Sequence, residues 1–238
     1  MFAVALVLLP SLAMAQGEGA PAGEEQAGFL QIIFSGGIVG VIMIFLLLAL
    51  SVTAAYLIFD HLITIRRKDL MPEGLGEQVR TFLKAGDVAS AKAACSAQPS
   101  FLSFVLTHGI NELEFGWASV EKAIEDALAE QSARLFRKIE YLSVIGNIAP
   151  MVGLLGTVIG MIFAFQQVAS TQGTASAPQL ATGIYQALVT TVGGLIVAIP
   201  SIGAFAIFRN RVDQFVAEAA YMAQHVFSPL RRKGKGKR

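Results

Sequence analysis

The sequence predicts an all-α integral membrane protein with three transmembrane helices, N-terminus out and C-terminus in, and long cytoplasmic helical extensions. Three observations predict it. The 238 residues are 54% hydrophobic and 15% charged, with a mean hydropathy of +0.61, whereas soluble domains run at about 25% charged. No Asp, Glu, Lys or Arg occurs from Leu142 to Phe208, nor from Gln26 to Phe59, and a soluble chain does not leave such stretches without solvating charge. All 18 Lys and Arg lie between Arg66 and Lys138 or from Arg209 onward, and positive charge collects on the inner side of a membrane. The near-neutral balance, +1 overall, points to no partner by itself. A single cysteine, Cys95, makes no internal disulfide and suits a segment facing a reducing compartment.

Each element follows in chain order. Residues 1–15 end in Ala13-Met14-Ala15, a small-x-small cleavage pattern, and read as a signal peptide. A short fourth membrane segment is the alternative, although a span needs about 20 apolar residues. Residues 16–31 form a flexible periplasmic leader carrying only acids, Glu18, Glu24 and Glu25. The first transmembrane helix occupies 32–63, securely from Ile38 to Ile63, and stops at Arg66-Arg67-Lys68.

Residues 64–141 form a cytoplasmic helical segment. Within it, Gly76–Ala97 places Val79, Phe82 and Leu83 on one face and breaks at Gly86-Asp87, as a short helical hairpin does. Ser119 is placed to cap a helix that opens with Glu121, Glu125 and Asp126 and closes with Arg134, Arg137 and Lys138, which suits the helix dipole. No Pro or Gly interrupts the chain from Ala118 to Ile145, so one long helix runs from the cytoplasm into the second span. Residues 142–208 hold the second and third transmembrane helices, near Leu142–Gln166 and Ile184–Phe208, joined by a short outer loop at 168–182. Residues 209–238 continue inward as a helix and end in the basic tail RRKGKGKR. That tail reads as a stop-transfer and lipid-surface anchor; nucleic acid is not an expected partner.

The second and third spans carry the candidate functional residues. Gly146, Pro150, Gly153, Thr157, Gly160 and Ala164 recur at steps of three and four, on one helix face; Ile148, Val152, Leu155, Ile159 and Ile162 lie opposite. Ala187, Thr191, Gly194, Ala198 and Ser201 repeat the pattern in the third span. Small residues let helices approach closely in lipid, so the simplest role of both faces is helix packing. Depth adds a second role. Thr157 and Thr191 lie roughly 5 and 7 Å to the outer side of their span centres at 1.5 Å per residue, although the two helices run in opposite directions. Thr190 and Gln186 add hydrogen-bonding groups one turn apart. Polar groups at such depth need a partner or water.

A proton path normally uses an intramembrane Asp, Glu or His. No carboxylate lies inside any span, and His61, His108 and His225 sit at the inner boundary or in the cytoplasm. If this chain conducts protons, the titrating group comes from another chain. No metal-ligand spacing, catalytic triad or phosphate loop occurs, since GLLGTVIG lacks the loop's lysine. No cofactor and no enzyme activity are expected, and Cys95 reads as an inert buried thiol.

The run Asn147–Met161, NIAPMVGLLGTVIGM, resembles the signature of the MotA/TolQ/ExbB proton-channel family, and Gln186-Ala187-Leu188 with Thr191, Gly194-Leu195 and Ala198-Ile199-Pro200 resembles its companion. The likeness covers about residues 30–226, and three spans with a modest cytoplasmic segment are similar to the ExbB/TolQ branch. The resemblance implies a multi-pass protein of the bacterial inner membrane: a homopentamer around an ExbD/TolR-like single-span protein, whose membrane aspartate carries the proton. It also implies a TonB-like or TolA-like periplasm-spanning partner. Thr157 and Thr191 match the family's pore threonines, with Thr190 and Gln186 beside them. Pro150, Gly153, Gly156, Gly160, Ala187, Gly194, Ala198 and Pro200 match its pore and packing face. Gln186 departs from the pattern, because enteric members carry Glu there. The implied function is a proton-driven stator that energises outer-membrane transport (ExbB-like). The alternatives are envelope maintenance at division (TolQ-like) and a non-conducting membrane scaffold.

Overall fold

The structure, a computed structural model, describes residues 37–170 and 177–235. The expected signal peptide and leader lie outside the described residues, as do residues 171–176 and the side chains of Gln186 and 231–235. Seven α-helices are described: α1 (Gly37–Thr64), α2 (Arg67–Leu70), α3 (Leu75–Ala85), α4 (Val88–Ala97), α5 (Phe101–Asn111), α6 (Trp117–Ser170) and α7 (Ala177–Lys235). No strand occurs among the described residues. Three helices, α1, α6 and α7, are long and apolar enough to cross a membrane. At 1.5 Å per residue, the 54 residues of α6 and 59 of α7 reach about 80–90 Å. A hydrocarbon core takes about 30 Å, so both helices extend far beyond it.

The long helix expected from Ala118 onward is α6, and the inward continuation of the third span is α7. The connection between them is shorter than the sequence suggests. Val168–Ser170 and Ala177–Thr182 are helical: the first Gly or Pro after Val168 is Gly173, and Pro178 falls in the first turn of α7, where a proline is tolerated.

The α3–α4 hairpin breaks where expected. Gly86 takes φ +83°, a left-handed conformation that suits glycine, and its N–H donates to the Leu83 carbonyl at 3.2 Å. Asp87 then caps α4, its carboxylate accepting from the Ser90 N–H at 2.9 Å. The Ser90 hydrogen bonds hold the Asp87 carboxyl below its ordinary value of 3.8. The cap therefore contributes above that pH and is lost as pH falls below it. Ser119 does not cap α6. The helix already begins at Trp117, after Gly116 at φ +95°, and the Ser119 hydroxyl donates back to the Phe115 carbonyl. The Glu130–Arg134 pair forms at 2.6 Å.

Sequence reading passed over α5. Ser100 and Ser103 form a reciprocal capping box there. Its Leu102, Val105 and Leu106 are fully buried against Leu75 and Val79 of α3, Ile139 of α6, and Val212, Ala219, Ala223, Val226 and Phe227 of α7. Gly109 is required here, since a Cβ would come within 2.7 Å of the Phe227 ring. Helices α2–α5 thus pack with the extended ends of α6 and α7 into one domain.

Arg231 lies on α7, 23 residues beyond Phe208, about 35 Å along the helix.

Cys95 is 2% exposed. Burial pushes its thiol up, with the Thr107 hydrogen bond pulling the other way. Alkylation by iodoacetamide at pH near 8 is expected to run at least ~10-fold slower in the folded protein than in dodecyl sulfate. Equal rates would show that the α4–α5 region opens readily.

Candidate functional site

Lipid supplies no hydrophobic drive between helices, so α6 and α7 must associate through close packing and hydrogen bonds. Their small faces meet each other. A Cβ on Gly153 would come within 2.9 Å of the Thr190 carbonyl and of Thr191 Cα, and one on Gly194 within 2.5 Å of the Ala149 carbonyl. One on Gly160 would meet Ala187 Cβ at 2.8 Å, and one on Gly156 would overlap Thr190 Oγ1. At each of these four positions an added Cβ would force the facing helix or side chain to shift. The face that the sequence set opposite points away, with Ile148, Leu155 and Ile162 exposed. Val152 is the exception and is buried.

The hydroxyls of the third span converge on one carbonyl. Thr190 Oγ1 donates to the Ala187 carbonyl at 2.7 Å and lies 3.2 Å from that of Gly153; Thr191 Oγ1 donates to the Gly153 carbonyl at 3.1 Å. Thr157 Oγ1 donates to the Leu154 carbonyl of its own helix at 2.7 Å. Thr157 and Thr190 are buried, 9% and 7% exposed, and Thr191 is half-buried. Thr191 thus sits beside Gly153, one turn or about 6 Å along α6 from Thr157. The structure brings the three threonines into one neighbourhood of the α6–α7 seam. Gln186 belongs to α7, with its side chain outside the described residues.

Chemically, each hydroxyl has placed its single proton on a backbone carbonyl and keeps its oxygen lone pairs as acceptors. The site offers acceptors rather than donors. It matches a group that brings its own proton, such as a protonated carboxyl or a water, better than a bare carboxylate. Pro150 and Pro200 stand within continuous helices, each removing one backbone donor from its span.

Helix α1 closes the other side. Ala54 packs with Ile145, Ala149, Val197 and Ala198, flanked by Leu50 and Leu57. At the C-terminal end of α1, His61 is 3% exposed. Its Nε2–H donates to the Lys138 carbonyl of α6 at 2.9 Å, and its ring meets Phe208 of α7 edge-on with centroids 5.6 Å apart. One side chain therefore joins all three spans at one end of the bundle. The sequence placed His61 at the boundary but carried no sign of this junction, whose partners are 77 and 147 residues away.

A family model described as the MotA/TolQ/ExbB proton channel family matches residues 99–220. The chain is 34% identical over 99 residues to biopolymer transport protein exbB1 of Vibrio cholerae, covering 42% of this chain and 43% of that protein. It is 32% identical over 149 residues to biopolymer transport protein ExbB of Salmonella typhimurium, covering 59% and 61%. It is also 32% identical over 114 residues to Tol-Pal system protein TolQ of Pseudomonas aeruginosa, covering 48% and 49%. The chain spans about half the length of the curated relatives it matches.

Two glycine substitutions test the seam. Gly156→Ala forces Thr190 and α7 outward and is expected to cost about 1–3 kcal/mol, the usual effect of overpacking. Gly203 faces open space in the same pair of helices, and Gly203→Ala is expected to be neutral or slightly stabilising. Melting curves in detergent compare the two, and equal midpoints would remove the seam from the account.

Proposed function

Because the chain belongs to the MotA/TolQ/ExbB proton channel family, we propose that it is the stator subunit of an ExbB-like proton-driven motor in the bacterial inner membrane. In this reading the chain sits N-out and C-in and assembles as a homopentamer. The shell encloses a single-span ExbD/TolR-like protein, whose aspartate titrates at the level of Thr157, Thr190 and Thr191. Gln186 and the small residues of α6 and α7 complete the wall. Proton passage moves the enclosed partner, which passes work to a TonB-like protein spanning the periplasm.

The observation that carries this reading is the chemistry of the seam. The second and third spans contain three threonine hydroxyls and no carboxylate, and those hydroxyls offer acceptors. A protonated aspartic acid from a partner finds acceptors there that it lacks in lipid. After losing its proton, the carboxylate finds donors only if a threonine turns or water enters. The site therefore favours the loaded state and penalises the discharged one, an asymmetry that a proton-driven stroke needs. A TolQ-like role in envelope maintenance is the second reading, and the likeness to the Pseudomonas aeruginosa TolQ favours it.

Proton flux into liposomes tests the proposal. Flux is expected only when the chain is co-reconstituted with the single-span protein, and Thr157→Ala or Thr191→Val should lower it about tenfold, equivalent to ~1.4 kcal/mol on the barrier. Native mass spectrometry checks assembly of each sample. Flux from the chain alone, or unchanged flux in both assembled variants, overturns the mechanism.

A further inference from the structure

Outside the spans, a cluster of titratable groups joins α3 to α7. Glu218, Met222 and His225 lie at i, i+4 and i+7 on one face of α7, and the α2–α3 segment covers that face. Arg67 of α2 pairs with Glu218. Gly76 of α3 lies against Met222, where a Cβ would come within 2.9 Å of its sulfur. At the far end, Arg80 Nη1 lies 2.6 Å from His225 Nε2. Arg80 has no acceptor and stays charged, so this contact requires a neutral His225 with a lone pair on Nε2. Glu77 Oε1 lies 3.4 Å from the same nitrogen and 3.3 Å from Arg80 Nη1.

We propose that Arg80, Glu77 and His225 form a cytoplasmic proton-sensing latch that hands the α7 contact from Arg80 to Glu77 when the inner side acidifies. Protonation removes the Nε2 lone pair and sets two cations against each other, and the new N–H has an acceptor ready in Glu77. The exchange moves the tether three residues along α3, about 4.5 Å. Two further features suit a switch. The His225 side chain is 39% exposed and meets cytoplasmic water directly. Arg80 Nε is buried without a hydrogen-bond partner among the described residues, a defect that the exchanged state can relieve. Other groups do not compete for this imidazole: Tyr221 stacks on it at 6.4 Å between centroids, Arg67 is engaged by Glu218, and His108 of α5 bonds to the Phe104 carbonyl. The latch stands on this geometry alone. Its consequence, that imported protons feed back on the motor, rests on the proposed function.

The test uses the full chain in lipid nanodiscs, with spin labels at Lys84→Cys and Gln224→Cys in a Cys95→Ala background. Double electron–electron resonance then reads the α3–α7 separation between about pH 8 and pH 5.5. The separation is expected to shift by ~2–4 Å in the parent and to stay fixed in His225→Gln, whose amide oxygen accepts from Arg80 at every pH. Glu77→Gln should retain the high-pH distance and broaden the low-pH one. A shift that survives in His225→Gln belongs to His61 or His108 and overturns the proposal, as does a parent whose separation ignores pH. The readout needs no proton flux, so failure of the latch and failure of the proposed function are separately visible.

Discussion

The structure depends on how closely α6 and α7 approach. Water drives soluble helices together by expelling apolar surface, but acyl chains gain nothing from that exchange. What remains is contact between backbones and a few hydrogen bonds that lipid cannot supply. Glycines at 153, 156, 160 and 194 remove the side chains that would hold the helices apart. The Gly153 carbonyl then becomes reachable for the Thr191 hydroxyl and close to that of Thr190. Packing and polarity are therefore one feature: the glycines create the gap that the threonines fill. Helix α1 and the α2–α5 domain are arranged around this pair, through Ala54 and His61 on one side and the α5 core on the other.

That arrangement changes the meaning of the small-residue stripes. A stripe read on one helix does not say whether its partner is a sister helix, a neighbouring subunit or an enclosed peptide. Within this chain each stripe already faces the other, and the threonine protons are already placed on carbonyls. What these threonines have left to offer is hydroxyl oxygens rather than hydroxyl protons.

The large features were legible in the sequence because they rest on local rules. Three apolar runs, the uninterrupted stretch from Ala118, the Gly86-Asp87 break and the Glu130–Arg134 pair follow from composition, turn chemistry and helical spacing. The register of the seam was half legible: the small positions could be listed, but which glycine meets which threonine depends on how two antiparallel helices slide. Ser119 misled because a good capping residue two positions inside a helix looks the same on paper as one at its start. The His61 junction and the Arg80–His225 contact were invisible, since their members are 77 and 145 residues apart and no short pattern links them.

The same unbroken helix has a mechanical consequence. With about 40 Å of α7 beyond Phe208, a change of tilt in the apolar span reaches the far tip enlarged. A lean of about 5° moves that end by roughly 3–4 Å, comparable to the width of a hydrogen bond. Two such levers, bound side by side and braced by the α5 core, make the α2–α5 domain an amplifier of motions too small to disturb packing within the spans. Conversely, a load on the tip is felt at the glycine seam.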